Sequence, residues 1–138
     1  MTYQENYQKW LDFAELPAYL RDELVAMDEK TKEDAFYTNL EFGTAGMRGL
    51  IGAGTNRINI YVVRQATEGL AQLIDSKGEE AKKRGVAIAY DSRHFSPEFA
   101  FESAQVLAAH GATTLLRLMD IRYMVKTVDK CHLQMPML

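Results

Sequence analysis

The spacing of apolar side chains predicts three helices in the first third of the chain. Tyr3, Tyr7 and Trp10 recur at intervals of three and four residues, which is the spacing of one helix face. A second helix is expected after Pro17, because the first turn of a helix tolerates proline. A third, short helix is predicted over residues 32–36. The chain therefore opens with helical structure.

After a glycine-rich segment over residues 43–54, the apolar pattern predicts a helix and then a strand. Apolar positions over residues 63–74 predict a helix, with Asn59 as its cap and Gly78 as its end. The continuous apolar run over residues 86–90 predicts a strand buried on both faces.

A further helix and strand complete a repeating unit. Ser96 is predicted to cap a helix whose apolar face begins at Phe99, and Gly111 ends it. Residues 112–116 then predict a second strand. A strand, a helix and a strand in so short a segment form a βαβ unit, so we expect an α/β layer with a parallel sheet.

Composition and charge restrict the class of protein. The chain has 138 residues, of which 47% are hydrophobic and 25% are charged, as in one ordinary globular domain. Its apolar runs are far shorter than the ~20 residues that cross a bilayer. The net charge is −3 without a dense basic stripe, which argues against a nucleic-acid or membrane partner. A single cysteine and the absence of a signal-peptide pattern at the start indicate a cytoplasmic protein.

Five glycines between residues 43 and 54 mark a constrained loop or a bulged strand. Thr44 and Arg48 lie among them, so the segment could offer backbone N–H groups, a hydroxyl and a guanidinium to a phosphate. Local composition alone favours the alternative of a structural glycine turn with a solvent-exposed arginine. The segment is not a nucleotide P-loop, because no Gly-Lys-Ser or Gly-Lys-Thr follows.

Other polar groups favour structural roles. Residues 91–94 suggest a catalytic triad by composition, but such partners meet across a fold, so we expect a turn with Asp91 bonding to nearby N–H groups. Arg93 is expected to form a salt bridge. His110 is expected to interact with the last carbonyls of its helix. Residues 131–132, Cys-His, lack a second ligand pair and do not predict zinc.

Two motifs resemble the amino-terminal domain of the α-D-phosphohexomutases. They are FGTAGMRG at residues 42–49 and, after a helix, YDSR at residues 90–93. The acidic helical lead-in is similar to the bacterial phosphoglucomutase and phosphomannomutase branch, and the resemblance covers residues 1–115.

The resemblance implies an isomerase of the intramolecular phosphotransferase type. In that family a phosphoserine phosphorylates a hexose monophosphate, and the bisphosphorylated sugar then returns its other phosphate to the serine. Mg²⁺, held by the phosphoserine and an aspartate cluster, assists the transfer.

The resemblance also implies roles for five residues. Arg48 would stabilise the transferring phosphoryl group as the catalytic residue, and would also bind substrate. Thr44, Gly46 and Gly49 would shape the loop that binds the substrate. Arg93 would support the same side of the domain.

The sequence departs from the family pattern at the nucleophile. The family serine is followed by His-Asn-Pro, and none of the four serines here has that context; they are Ser76, Ser92, Ser96 and Ser103. The metal loop and the sugar-selecting loop are also missing, so the choice between glucose and mannose cannot be read. We therefore expect an inactive amino-terminal fragment without bound Mg²⁺. The alternative is a noncatalytic phosphate-binding or interaction module.

These patterns divide the chain into three segments. Residues 1–41 form a helical amino-terminal extension, residues 42–116 a partial domain I, and residues 117–138 an aberrant tail. A shifted reading frame explains the tail best, and natural divergence is the alternative. The predicted fold class is α/β, an incomplete αβα layered domain with a mixed or parallel sheet. An uncovered sheet would favour self-association.

Overall fold

The computed structural model describes residues 2–118, which contain six helices and four strands. The helices are α1 (Tyr3–Asp12), α2 (Ala18–Ala26), α3 (Glu29–Phe36), α4 (Ile60–Ser76), α5 (Glu79–Arg84) and α6 (Ser96–Ala109). The strands are β1 (Phe42–Gly43), β2 (Gly46–Met47), β3 (Val86–Tyr90) and β4 (Thr114–Leu118). The chain divides into two compact units, with the boundary between Val62 and Val63. The predicted α/β class is confirmed.

The first unit packs three helices around a buried apolar cluster. The Thr2 hydroxyl accepts the Glu5 N–H, and the Glu5 carboxylate accepts the Thr2 N–H, which is a capping box at the start of α1. Asp28 caps α3, so this helix begins three residues earlier than the apolar pattern predicts. The buried cluster of this unit consists of Leu16, Leu20, Leu24, Ala35, Phe36 and Ala53.

Helix α4 begins and ends where the sequence predicts. The Asn59 side-chain oxygen accepts the N–H groups of Tyr61 and Val62 at 3.1 Å each. Gly78, two residues beyond the helix, adopts a φ of +82°. Helix α5 was not predicted, although Glu79 at its start and Arg84 at its end follow the sign of the helix dipole.

The second unit contains the predicted parallel strand pair. Strands β3 and β4 pair in register from Val86 with Thr114 to Tyr90 with Leu118, and α6 connects them. The buried cluster of this unit consists of Ala71, Ile88, Ala100, Ala104, Leu107 and Ala112.

The prediction that β3 is buried on both faces is wrong. Only Ile88 is buried in this strand, whereas Ala87 and Ala89 are exposed, because no described element of the second unit covers their face. Strand β4 also starts two residues later than predicted and runs to Leu118, so it includes the first two residues of the predicted tail. The rest of that tail, residues 119–138, lies outside the described residues.

Ser96 does not cap α6 as predicted. Phe95 occupies the cap position with a φ of +63°, and no side chain caps the helix. The Ser96 hydroxyl instead accepts the Asp91 N–H at 3.2 Å, so it closes the loop that precedes the helix.

His110 lies at the end of α6 as predicted, and its backbone N–H donates to the Leu107 carbonyl oxygen at 3.2 Å. Its side chain does not bond the α6 carbonyls but contacts α4. Its Nδ1 lies 2.5 Å from a carboxylate oxygen of Asp75, and its Nε2 lies 3.0 Å from one of Glu68. Lys82 pairs with the other Asp75 oxygen at 2.9 Å. The hydrogen bonds to Asp75 and then Glu68 raise the pKa of His110. The hydrogen bond from His110, followed by that from Lys82, lowers the pKa of Asp75.

Gly54 is the position where the first unit most clearly requires glycine. Its φ is +131°, and a Cβ there would lie 2.5 Å from the Ala35 carbonyl oxygen. That oxygen cannot easily move, because it accepts the Asn56 N–H at 2.9 Å.

We predict that Gly54→Ala lowers the free energy of unfolding of the first unit by about 1–3 kcal/mol, through strain and the backbone clash. Urea titration followed by the fluorescence of Trp10, the single tryptophan, measures this change. Gly43→Ala is the matched control, because its Cβ would meet only ordinary contact at 3.5 Å. Equal effects of the two substitutions would contradict the assigned clash.

The His110 cluster predicts a dependence of stability on pH. The folded pKa of His110 lies above its ordinary value of 6.5, so its contribution is complete below pH 6.5 and is lost as pH rises through the folded pKa. The effect of Asp75 on stability has the opposite dependence on pH. Its contribution to the free energy of unfolding is present above its ordinary pKa of 3.8 and is lost as pH falls through the lowered folded pKa.

We therefore expect His110→Gln to reduce the loss of stability between pH 6 and pH 8.5. Urea unfolding followed by far-UV circular dichroism at both pH values measures it. His94→Gln is the control, because His94 is exposed and has no carboxylate partner within residues 2–118. A wild-type pH profile in the His110 variant would show that the cluster does not contribute.

Candidate phosphate site

The FGTAGMRG segment folds as a short β-hairpin. Phe42 pairs with Met47, and Gly43 pairs with Gly46, which adopts a φ of +94°. Met47 is buried and anchors the hairpin. The constrained path predicted from the glycines is confirmed, and the turn residues between the strands are exposed.

The glycines after the hairpin are held by a buried amide. The Asn59 side-chain nitrogen donates to the carbonyl oxygens of Gly52 and Gly54 at 2.9 Å each. Asn59 is 2% exposed, and all of its hydrogen-bonding groups have partners. Sequence reasoning found only its capping role, because the two glycine carbonyls come near it only in the folded loop.

Two arginines near the hairpin have opposite environments. Arg57 is 7% exposed, and its guanidinium donates to the Asp34 carboxylate at 2.5 Å and to the carbonyl oxygens of Asn56 and Asp34. Arg48 is exposed, and its guanidinium has no hydrogen bond or ion pair within residues 2–118. A planar set of unused donors is suited to a phosphate or carboxylate.

The loop at Asp91 belongs to the second unit and has the predicted structure. Asp91 is 2% exposed, and its carboxylate accepts the Arg93 N–H at 3.0 Å and the Arg93 Nε at 2.7 Å. Burial opposes ionisation, but the hydrogen bonds from Arg93 and from Ser96 hold the pKa of Asp91 below its ordinary range. The predicted turn and salt bridge are confirmed.

The structure brings together four of the five predicted site residues. Thr44, Gly46, Arg48 and Gly49 share the hairpin and its continuation in the first unit. Arg93 lies in the second unit and is paired with its own loop. The binding roles of all five residues stay predictions.

The described residues provide neither a metal cluster nor a membrane helix. Over residues 2–118, no three His, Cys, Asp or Glu side chains are arranged to hold a metal ion. Within the same range, the helices are too short or too polar to cross a bilayer. Residues 131–132 lie outside this range.

Comparison with known proteins identifies the family of domains to which the hairpin belongs. A family model described as phosphoglucomutase/phosphomannomutase, alpha/beta/alpha domain I, matches residues 39–126. The chain therefore belongs to the phosphoglucomutase/phosphomannomutase family. The match includes the hairpin and continues past residue 116, where the sequence pattern predicts an aberrant tail.

Curated relatives carry the same family name. The phosphoglucomutase of Staphylococcus haemolyticus is 38% identical over 118 residues, which cover 82% of this chain and 19% of the relative. The phosphoglucomutase of Staphylococcus epidermidis is 35% identical over 101 residues, covering 73% and 18%. This chain thus spans about a fifth of the length of these relatives. No solved structure matches.

Proposed function

We propose that this chain supplies the phosphate-binding hairpin of a phosphohexomutase, which interconverts hexose 1-phosphate and hexose 6-phosphate through a phosphoserine and a bisphosphorylated sugar. The observation that supports this role is the exposed, unpaired guanidinium of Arg48 on a hairpin within the domain I match. The relatives named phosphoglucomutase support the same reaction class.

Arg48 contributes charge stabilisation in this proposal. During phosphoryl transfer, negative charge spreads over the oxygens of the moving group, and a fixed guanidinium stabilises it by charge-assisted hydrogen bonds. The hydroxyl of Thr44 is exposed near the tip of the same hairpin and provides a second donor. Gly46 and Gly49 lack side chains, so a phosphate can approach the backbone there.

The proposal assigns no nucleophile and no metal step to these residues. None of the four serines in the sequence has the family context of His-Asn-Pro. The family implies Mg²⁺, but the carboxylates of residues 2–118 form no cluster that fits it. The proposed contribution of the chain is therefore to bind and orient a phosphate of a hexose phosphate, in a cytoplasmic setting.

We predict that the chain binds inorganic phosphate with a dissociation constant in the millimolar range, about 4 kcal/mol, because one arginine and a few amides make the contact. Titration followed by NMR should shift the amides of residues 43–49. Arg48→Met should weaken binding by about tenfold or more, which corresponds to loss of one charge-assisted interaction.

Arg84→Met is the matched control for this titration. Arg84 is also exposed and has no ion pair within the described part of the chain, but it lies on α5. The control should bind phosphate as the wild type does. Unchanged binding in Arg48→Met would place the phosphate elsewhere and refute the proposed role of the hairpin.

We predict that the purified 138-residue chain does not convert glucose 1-phosphate or mannose 1-phosphate, even with Mg²⁺ and a bisphosphorylated sugar activator. The reason is the missing serine context, since the reaction needs a phosphoserine to exchange phosphoryl groups. A coupled assay for hexose 6-phosphate measures the turnover. Activity above the blank that disappears in Arg48→Met would contradict this prediction and would also exclude a purely noncatalytic module.

A further inference from the structure

The carboxyl end of α3 holds the turn that follows the glycine loop. The Asp34 carbonyl oxygen accepts the Asn56 side-chain N–H at 3.0 Å, and the Ala35 carbonyl oxygen accepts the Asn56 backbone N–H at 2.9 Å. The Thr55 hydroxyl donates to the Thr38 carbonyl oxygen at 2.7 Å. The helical segment and the glycine segment are thus directly bonded.

Arg57 is the charged group within this junction. Its side chain is 9% exposed, whereas that of its partner Asp34 is 59% exposed. A buried guanidinium is costly unless its donors are satisfied, and here they reach one carboxylate and two carbonyl oxygens. The two Asp34 acceptors hold the Arg57 side chain against the end of α3, and the third acceptor, the Asn56 carbonyl oxygen, belongs to the same turn as Arg57.

A short path of contacts leads from Arg57 to residues 49–52, which follow Arg48 in the chain. Ile58, the next residue, donates its N–H to the Leu50 carbonyl oxygen at 2.8 Å and accepts the Gly52 N–H at 3.1 Å. Gly49 lies against the same residue, because a Cβ built on Gly49 would be 3.8 Å from the Ile58 side chain. The same Cβ would lie 3.0 Å from the side chain of Leu40.

We propose that Arg57 is a positioning residue for the phosphate site: its bonds to Asp34 and the neighbouring carbonyls hold residues 49–52 so that Arg48 leaves the hairpin in one orientation. This inference rests on the proposed phosphate-binding role of Arg48. It makes the helical segment before the hairpin part of the phosphate site and not a separate extension. Arg57 itself touches no phosphate.

The test compares Arg57→Met, Arg57→Lys and the control Arg84→Met in the full chain, with inorganic phosphate as the probe. Arg57→Met keeps an apolar stem and removes the charged donors. Arg57→Lys keeps the ion pair with Asp34 but lacks the planar set of donors that reaches the carbonyls. Asp34→Asn tests the same ion pair from the other side, because it removes the carboxylate charge and leaves Arg57 in place.

We expect Arg57→Met to weaken phosphate binding about tenfold, the factor expected if binding must order roughly one more residue. Arg57→Lys should restore part of this loss, and Asp34→Asn should weaken binding less than Arg57→Met. The amides shifted by phosphate should still be those of residues 43–49, since Arg48 remains.

Hydrogen exchange without phosphate separates the two proposals. The amides of residues 46–52 should exchange faster in Arg57→Met than in the wild type, while the amides of α1, which lies in the same unit, should exchange equally. If the wild type binds no phosphate, the proposed function is refuted. The positioning role of Arg57 is then refuted as well, because it requires a phosphate site. If the wild type binds and Arg57→Met binds equally, or its residues 46–52 exchange at the wild-type rate, the positioning role alone is refuted.

Discussion

The contact between the Gly54 backbone and the Ala35 carbonyl is the constraint on which the first unit depends. A Cβ at Gly54 would lie 2.5 Å from that oxygen, so the glycine segment reaches α3 only because this position has no side chain. The close approach places Asn56 and Arg57 within hydrogen-bonding distance of Asp34 and Ala35. These bonds satisfy carbonyl groups at the end of α3 that have no partner within the helix.

The same constraint separates the roles of two chemically identical side chains. Arg57 is drawn into the junction and uses its donors on the protein, so it contributes to folding. Arg48 follows a hairpin whose buried anchor is Met47, and its guanidinium remains exposed. A guanidinium on a rigid backbone binds an anion at a smaller entropic cost than one on a flexible backbone, which is the physical basis of the proposed positioning role of Arg57.

In the second unit too, polar side chains near the small sheet are hydrogen-bonded to other groups of the protein. Asp91 is buried but remains hydrogen-bonded to Arg93 and Ser96, and it closes the loop before α6. His110 links α6 to α4 through two carboxylates. The sheet has one packed face over Ile88 and one exposed face, so its stability within the described range comes from α4 and α6.

The sequence by itself determined the elements whose signals are local. Apolar spacing predicted α1, α4 and α6, and Asn59 predicted a helix start. The glycine-arginine motif predicted a constrained loop or bulged strand and the family, whereas the hairpin pairing is seen only in the structure. Tertiary structure decided which groups meet across long separations in sequence. It decided that Arg57 pairs with Asp34, 23 residues away, and that Ser96 serves a loop instead of a helix cap. Pattern and propensity describe a residue's neighbours along the chain, whereas burial and pairing depend on which distant groups share the same space.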